Sequence, residues 1–247
     1  MVEEIIMQYE RISKERLNII LLIDTSKSMQ GERIKQVNNA IKDIQNYLID
    51  LQDENANIDF FLTLITFSTD ASFYNNVRCE NVLTFKYNGI KAAGWSNLEA
   101  AYSCLNSVLK KEKNGGIMPD FGGVAPIILL LTDGHPTTNH YKDELAGLKN
   151  NSWFKVALRY GVAIELDDNK TLKVLHDFVG ANGDVIKCID SSILKTIIKI
   201  IVLTASKVKS TSTNISVNYQ NRNSLTVNQE MKQIIAEALV DVESWEW

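Results

Sequence analysis

Two apolar runs that each end at an aspartate constrain the fold of this chain more than any other feature. A strand with one solvated face alternates apolar and polar residues, whereas a strand covered on both faces is apolar throughout. Both runs are of the second kind, so they predict buried strands of a parallel sheet enclosed by helices. The first run is Ile19-Ile20-Leu21-Leu22-Ile23-Asp24, and the second is Ile127-Ile128-Leu129-Leu130-Leu131-Thr132-Asp133.

Strand-like and helical patterns alternate along the chain. The alternation predicts an α/β fold, a doubly wound and mostly parallel sheet with helices on both faces. A strand that follows residues 58–67 too closely for a crossover helix supplies one antiparallel edge. Strands are expected at 19–24, 58–67, 82–85, 127–132, 156–165 and 185–189, and helices at 34–51, 97–111, 142–150, 172–179 and 191–207.

Oxygen-bearing side chains are expected to meet at one edge of this sheet. Asp24 and Asp133 both follow strand carboxyl ends, where doubly wound sheets bind ligands. Ser26 and Ser28 follow Asp24 at alternate positions, and Ser96 precedes a helix. Carboxylates and hydroxyls together suit a hard divalent cation. The alternative interpretation is that the first two serines cap the next helix and that Asp133-Gly134 makes a turn.

These three segments, in this order, resemble the von Willebrand factor A domain. In that family, Asp-x-Ser-x-Ser, a Thr or Ser in a later loop, and an Asp-Gly after the central strand form the metal-ion-dependent adhesion site. The resemblance implies a metal site of Asp24, Ser26, Ser28, Ser96 and Asp133. It also implies a non-enzymatic domain that binds an Asp or Glu of a partner protein through the ion. Ser96 departs from the more frequent Thr.

The segments 29–34, 62–67 and 131–138 are similar to those of bacterial TerY-like tellurite-resistance proteins. This narrower resemblance implies a scaffold in a stress-response or phage-defence system. It also implies a kinase- or phosphatase-like protein of the same gene set as the partner. The ion is expected to be Mg²⁺, with Mn²⁺ or Ca²⁺ as alternatives, because the site is rich in hydroxyls and calcium usually takes more carboxylates.

Two other functions compete with metal-dependent binding. One is a metal-dependent phosphohydrolase, which needs a positioned base, and His135 is the candidate nearest to Asp133. Haloacid-dehalogenase-like chemistry also needs a second acid two residues after the first aspartate, and Ser26 at that position argues against it. The second alternative function is a scaffold whose site has lost its metal.

Two residues near the site have two interpretations each. Glu32 is expected to start the following helix or to contact the ion, and Trp95 is expected to face a partner or to pack against Pro136.

Composition limits which partners and which cellular compartment are expected. The 247 residues carry a net charge of −4, and the 26 basic residues are scattered, which disfavours nucleic acid as a partner. The first residues are acidic where a secretion signal is basic, and the apolar stretch 193–203 is too short for a membrane span. Three cysteines without metal-ligand spacing favour free thiols, so a soluble cytoplasmic protein is expected.

The chain is expected to divide into an N-terminal extension (1–16), a von Willebrand factor A domain (17–209) and a C-terminal segment (210–247). The last segment contains a hairpin, an amphipathic helix and a tail with Trp245 and Trp247. Its apolar stripe either packs back on the domain or docks on a partner, with the tryptophans as anchors.

Overall fold

The computed structural model of the protein describes residues 14–54, 58–134, 140–165, 168–181 and 183–188. The helix predicted at 191–207 and the C-terminal hairpin, helix and tail lie outside these residues. His135 and Pro136 lie outside them as well.

The described strands form one sheet. They are β1 Glu15–Asp24, β2 Ile58–Phe67, β3 Ala71–Phe73, β4 Glu80–Asn81, β5 Ile127–Thr132, β6 Leu158–Ile164 and β7 Gly183–Cys188. Their order in the sheet is β3-β2-β1-β5-β6-β7, with β4 also paired to β2. The pairs β1–β2, β1–β5, β5–β6 and β6–β7 are parallel, and Leu21 of β1 lies between Leu64 and Leu129. The short strands β3 and β4 run antiparallel to β2.

Helices cover the two faces of the sheet. The described helices are α1 Glu32–Glu54, α2 Leu98–Val108, α3 Tyr141–Asn150, α4 Ser152–Val156 and α5 Asn169–Val179, and 3-10 turns occupy Lys27–Met29, Tyr74–Asn76 and Glu112–Asn114. Alternate side chains of β1 point to opposite faces, so Leu21 and Ile23 pack with α1, whereas Ile20 and Leu22 pack with α2, α3 and α5. The predicted α/β fold, with its mostly parallel sheet and antiparallel edge, is confirmed.

The strand predicted at 82–85 is wrong. Pairing with β2 ends at Asn81, and a turn follows over residues 82–84. The Asn81 side chain accepts a hydrogen bond from the Leu83 amide at 2.9 Å, and its carbonyl accepts one from the Thr84 amide at 3.0 Å. Val82 and Phe85 are apolar because they fill the core beside α1 from this turn.

Candidate metal site

Three loops meet at the carboxyl edge of the sheet. One follows β1, one precedes α2, and one follows β5, the strand next to β1. Backbone hydrogen bonds join the first two loops, from the Ala93 amide to the Thr25 carbonyl at 2.7 Å and from the Lys27 amide to the Gly94 carbonyl at 2.9 Å. The sheet and these bonds therefore place the predicted site residues within reach of one another.

Asp24 lies at the base of the site and is fully buried. Its Oδ1 accepts a hydrogen bond from the Ser26 amide at 2.8 Å, and its Oδ2 accepts bonds from Thr132 Oγ1 at 2.7 Å and Ser96 Oγ at 3.0 Å. Burial raises the pKa of Asp24, and the bonds from Ser26, Thr132 and Ser96 offset part of this effect. The site thus holds a carboxylate that gains from a nearby positive charge.

The two serines of the first loop connect this aspartate to the second one. Ser26 Oγ and Ser28 Oγ are 3.0 Å apart, and Ser28 Oγ donates to Asp133 Oδ1 at 2.8 Å. The side chain of Asp133 is fully buried. Ser26 precedes the turn Lys27–Met29, but its side chain makes no capping hydrogen bond there. The structure thus gathers all five predicted residues into one hydrogen-bonded cluster, to which the hydroxyls of Ser26 and Ser28 belong.

The loop that carries Ser96 depends on a glycine. Gly94 has a φ of +86°, and a Cβ at this position would lie 2.6 Å from Thr69 Oγ1. Asn97 then fixes the start of α2, since its Oδ1 accepts from the Ala100 amide at 3.1 Å and its Nδ2 donates to the Thr69 carbonyl at 3.0 Å. Ser96 is therefore held between a tight turn and a capped helix.

Arg33 was not predicted as a site residue, yet it contacts the cluster directly. Its Nη1 donates to Asp133 Oδ2 at 2.6 Å and to the Ser28 carbonyl at 3.2 Å, while its Nε donates to Glu165 Oε2 at 3.1 Å. Burial alone would lower the pKa of Arg33, but the bonds to Glu165 and Asp133 outweigh burial and raise it. The guanidinium thus stays charged beside the two acids.

Of these additional residues, Glu165 has a signal in the sequence, whereas Arg33 and Thr132 do not. Glu165 directly follows the apolar strand β6, just as Asp24 ends β1 and Asp133 follows β5, so the rule that found the two aspartates also applies to it. Arg33 lies in the first turn of α1, after the first loop. Thr132 is the last residue of β5, and its pairing with Asp24 becomes visible only once the strands are adjacent.

Other candidates from the sequence lie at the surface. Glu32 is the first residue of α1 and pairs with Lys35 at 3.3 Å, which agrees with its interpretation as a helix-starting acid. Trp95 is 72% exposed beside Ser96. The two histidines among the described residues, His140 and His176, were not expected to be bases; both are exposed, and the hydrogen bonds described for the cluster involve neither of them.

The donor set fits a hard divalent cation. In the part of the chain that the structure describes, no three His, Cys, Asp or Glu side chains converge as a metal cluster. The site instead combines two carboxylates, which balance a charge of +2, with three hydroxyl groups. Oxygen ligands of this kind suit Mg²⁺ and Mn²⁺, which retain water in the remaining positions.

The sequence model of the von Willebrand factor type A domain family matches residues 18–198. The chain therefore belongs to this family, which is known for metal-dependent protein–protein interaction, and the family resemblance inferred from the sequence is confirmed.

Curated relatives of the chain include inter-alpha-trypsin inhibitor heavy chain H4. The bovine protein is 35% identical over 126 residues, which is 49% of this chain but only 13% of that protein. The human protein is 30% identical over 151 residues, 59% of this chain and 15% of that protein. The similarity is thus confined to a small part of these relatives. The narrower resemblance to TerY-like proteins remains a prediction.

Solved structures support the fold. The ArnB paralog VWA2 from Sulfolobus acidocaldarius aligns with a TM-score of 0.51 at 21% identity, over 74% of this chain and 44% of that one. Proximal thread matrix protein 1 from the mussel byssus, in a form with a zinc-occupied metal-ion-dependent adhesion motif, gives 0.53 at 16% identity, over 78% and 48%. Among the helices of the described ranges, none is long and apolar enough to cross a membrane.

Proposed function

We propose that this domain binds one divalent cation through Asp24, Ser26, Ser28, Ser96 and Asp133 and uses it to bind a carboxylate of a partner protein. The observation that carries the proposal is the single hydrogen-bonded cluster that these residues form at the carboxyl edge of the sheet. Hydroxyls that now donate to carboxylates can rotate, which leaves their lone pairs free for a cation.

One part of the site is buried, and another part is accessible to solvent. Asp24, Ser26 and Asp133 are buried, whereas Ser28 is exposed and Ser96 is partly exposed. The buried carboxylates hold the charge, and the exposed rim admits the partner's acidic side chain. This side chain would ligate the bound ion in place of a water molecule. Trp95, at 72% exposure on the same rim, offers apolar area to the surrounding partner surface.

Binding, not hydrolysis, is the proposed activity. A hydrolase needs a base positioned near the metal-bound water. The hydrogen bonds described for the cluster join it to hydroxyls, backbone groups and the guanidinium of Arg33, groups that position ligands rather than accept protons at neutral pH. The candidate base His135 lies outside the described residues. Mg²⁺ is the proposed ion, because hydroxyls outnumber carboxylates in the site.

The proposed setting is a cytoplasmic stress-response or phage-defence system of the TerY type. Two observations support it, namely the similarity of segments 29–34, 62–67 and 131–138 to TerY-like proteins and the free thiols of Cys79 and Cys104. The partner proposed for this setting is a kinase- or phosphatase-like protein.

Manganese relaxation tests whether the site is open to a carboxylate. Mn²⁺ is added to chelator-treated protein, and the relaxation rate of water protons is measured. If Mn²⁺ binds the protein and keeps coordinated water, the relaxation rate of water protons is enhanced. Acetate should then reduce the enhancement as it displaces this water, whereas acetamide at the same concentration should not.

The double variant Asp24→Ala/Asp133→Ala is the control for this experiment. It should show neither the enhancement nor its loss on addition of acetate. An enhancement that persists in the double variant would place the ion elsewhere. An enhancement in the wild type that acetate leaves unchanged would contradict binding of a carboxylate at this ion.

A further inference from the structure

The two carboxylate oxygens of Asp133 face different groups. Oδ1 points into the cluster, where it accepts a hydrogen bond from Ser28 Oγ at 2.8 Å. Oδ2 accepts a charge-assisted bond from Arg33 Nη1 at 2.6 Å. Only one of the two oxygens is therefore presented to an ion in the cluster.

Arg33 is held in place from several sides. Its Nη1 also donates to the Ser28 carbonyl at 3.2 Å, and its Nε donates to Glu165 Oε2 at 3.1 Å. Glu165 is fixed in turn, because its Oε1 accepts from Gln36 Nε2 at 3.0 Å, one turn further along α1. These bonds hold the guanidinium between the first loop, Asp133 and the end of β6.

We propose that Arg33 is a positioning residue that sets the metal preference of the site, by restricting Asp133 to ligation through a single oxygen. Magnesium takes single oxygens in an octahedron, whereas calcium accepts both oxygens of one carboxylate and a larger number of ligands. With Oδ2 engaged by Arg33, calcium loses a ligand that it would otherwise use, and magnesium loses nothing. The inference rests on the proposed metal binding and adds a reason for its selectivity.

A general electrostatic effect of Arg33 predicts something different. Its positive charge repels Mg²⁺ and Ca²⁺ alike because both carry two charges, so removing it would strengthen the binding of both ions by a similar factor. Loosening of the loops would weaken both together. The ratio of the two affinities therefore isolates the effect of the blocked oxygen.

The test is calorimetric titration of Mg²⁺ and of Ca²⁺ into chelator-treated wild type, Arg33→Gln and Lys35→Gln. The glutamine is too short to reach Asp133, so Oδ2 is released. We expect the ratio of magnesium to calcium affinity to fall about tenfold in Arg33→Gln, the size of effect typical of groups that orient a metal ligand. Lys35→Gln removes an exposed cation from the same helix and should leave the ratio unchanged.

The outcomes separate the two proposals. If the wild type binds neither ion, the proposed function fails and the inference fails with it. If the wild type binds magnesium and Arg33→Gln keeps the wild-type ratio, only the inference is overturned. Thermal unfolding checks that each variant folds. If Arg33→Gln does not, Glu165→Gln loosens the guanidinium without removing it, and a shift of the ratio toward calcium supports the inference, whereas an unchanged ratio overturns it.

Discussion

Buried charge occurs at both edges of the sheet, but its partners differ. At the carboxyl edge, Asp24 and Asp133 are surrounded by side-chain hydroxyls and by the guanidinium of Arg33. At the amino edge, Arg159 in β6 is only 7% exposed and donates to backbone carbonyls, with Nε 3.0 Å from that of Val179. Its Nη1 donates to the carbonyls of Phe154 and Ala157, and the guanidinium lies over the ring of Phe154 at 4.4 Å.

The difference supports the proposal that the carboxyl edge binds a ligand. Carbonyls at the ends of α4 and α5 are fixed by the helices, so the partners of Arg159 do not move away to receive another group. Burial lowers the pKa of Arg159 to about 10, and its hydrogen bonds are those of a structural anchor. The hydroxyls around Asp24 rotate freely enough to exchange one partner for another. These contacts suit the carboxyl edge to binding a ligand and the amino edge to stabilising the fold.

The largest expected effect comes from removing the amino-edge anchor. Arg159→Met leaves three buried carbonyls without their donor, and the free energy of unfolding should fall by about 3 kcal/mol. Urea denaturation measures this loss. Metal affinity of the folded variant should equal that of the wild type, because the site lies at the opposite edge. A parallel loss of metal affinity would show that the two edges are coupled.

A neutral residue at the base of the site should have the reverse effect. Asp24→Asn removes a buried charge, so the metal-free variant should be at least as stable as the metal-free wild type at neutral pH, while its metal affinity falls at least about tenfold. Chemical denaturation and calorimetry measure the two quantities. Lower stability of the metal-free variant would show that the carboxylate itself stabilises the fold.

The stability difference between Asp24→Asn and the wild type should depend on pH. Because the pKa of Asp24 is raised above 3.8, the folded protein binds this proton more tightly than the unfolded chain does. Ionisation of Asp24 therefore costs the wild type stability as pH rises from about 3.8 through the folded pKa, and this cost is absent below that interval. The stability difference between Asp24→Asn and the wild type should grow over this pH range in the metal-free proteins.

The sequence predicts the carboxyl edge better than the amino edge, for a physical reason. Apolar strands and the residues that follow them are local signals, so Asp24 and Asp133 are found from the chain alone. The contacts of Arg33 and Arg159 depend on how helices dock on the sheet, which no local pattern records. The prediction of a strand at 82–85 was wrong for a related reason. Val82 and Phe85 are buried from a turn, and apolar character indicates that a residue is buried but not which backbone conformation it adopts.

The smallest expected effect concerns the hydroxyl of the second loop. Ser96→Thr adds the methyl group that restricts rotation about Cβ, so the hydroxyl should be better oriented toward Asp24. Metal affinity should rise about twofold, since a single restricted rotor contributes only a fraction of a kcal/mol. Calorimetry at low ion concentration measures the change. A marked loss of affinity would mean that the methyl group collides with the loop and that Ser96 is required for steric reasons.

Calorimetric titration of Mg²⁺ into chelator-treated protein, with Asp24→Ala/Asp133→Ala alongside, tests the central claim most directly. Saturable binding of one ion per chain, lost in the double variant while that variant still folds, is the predicted result. Absence of saturable binding by the wild type, or binding that the double variant retains in full, would contradict a metal site at the carboxyl edge.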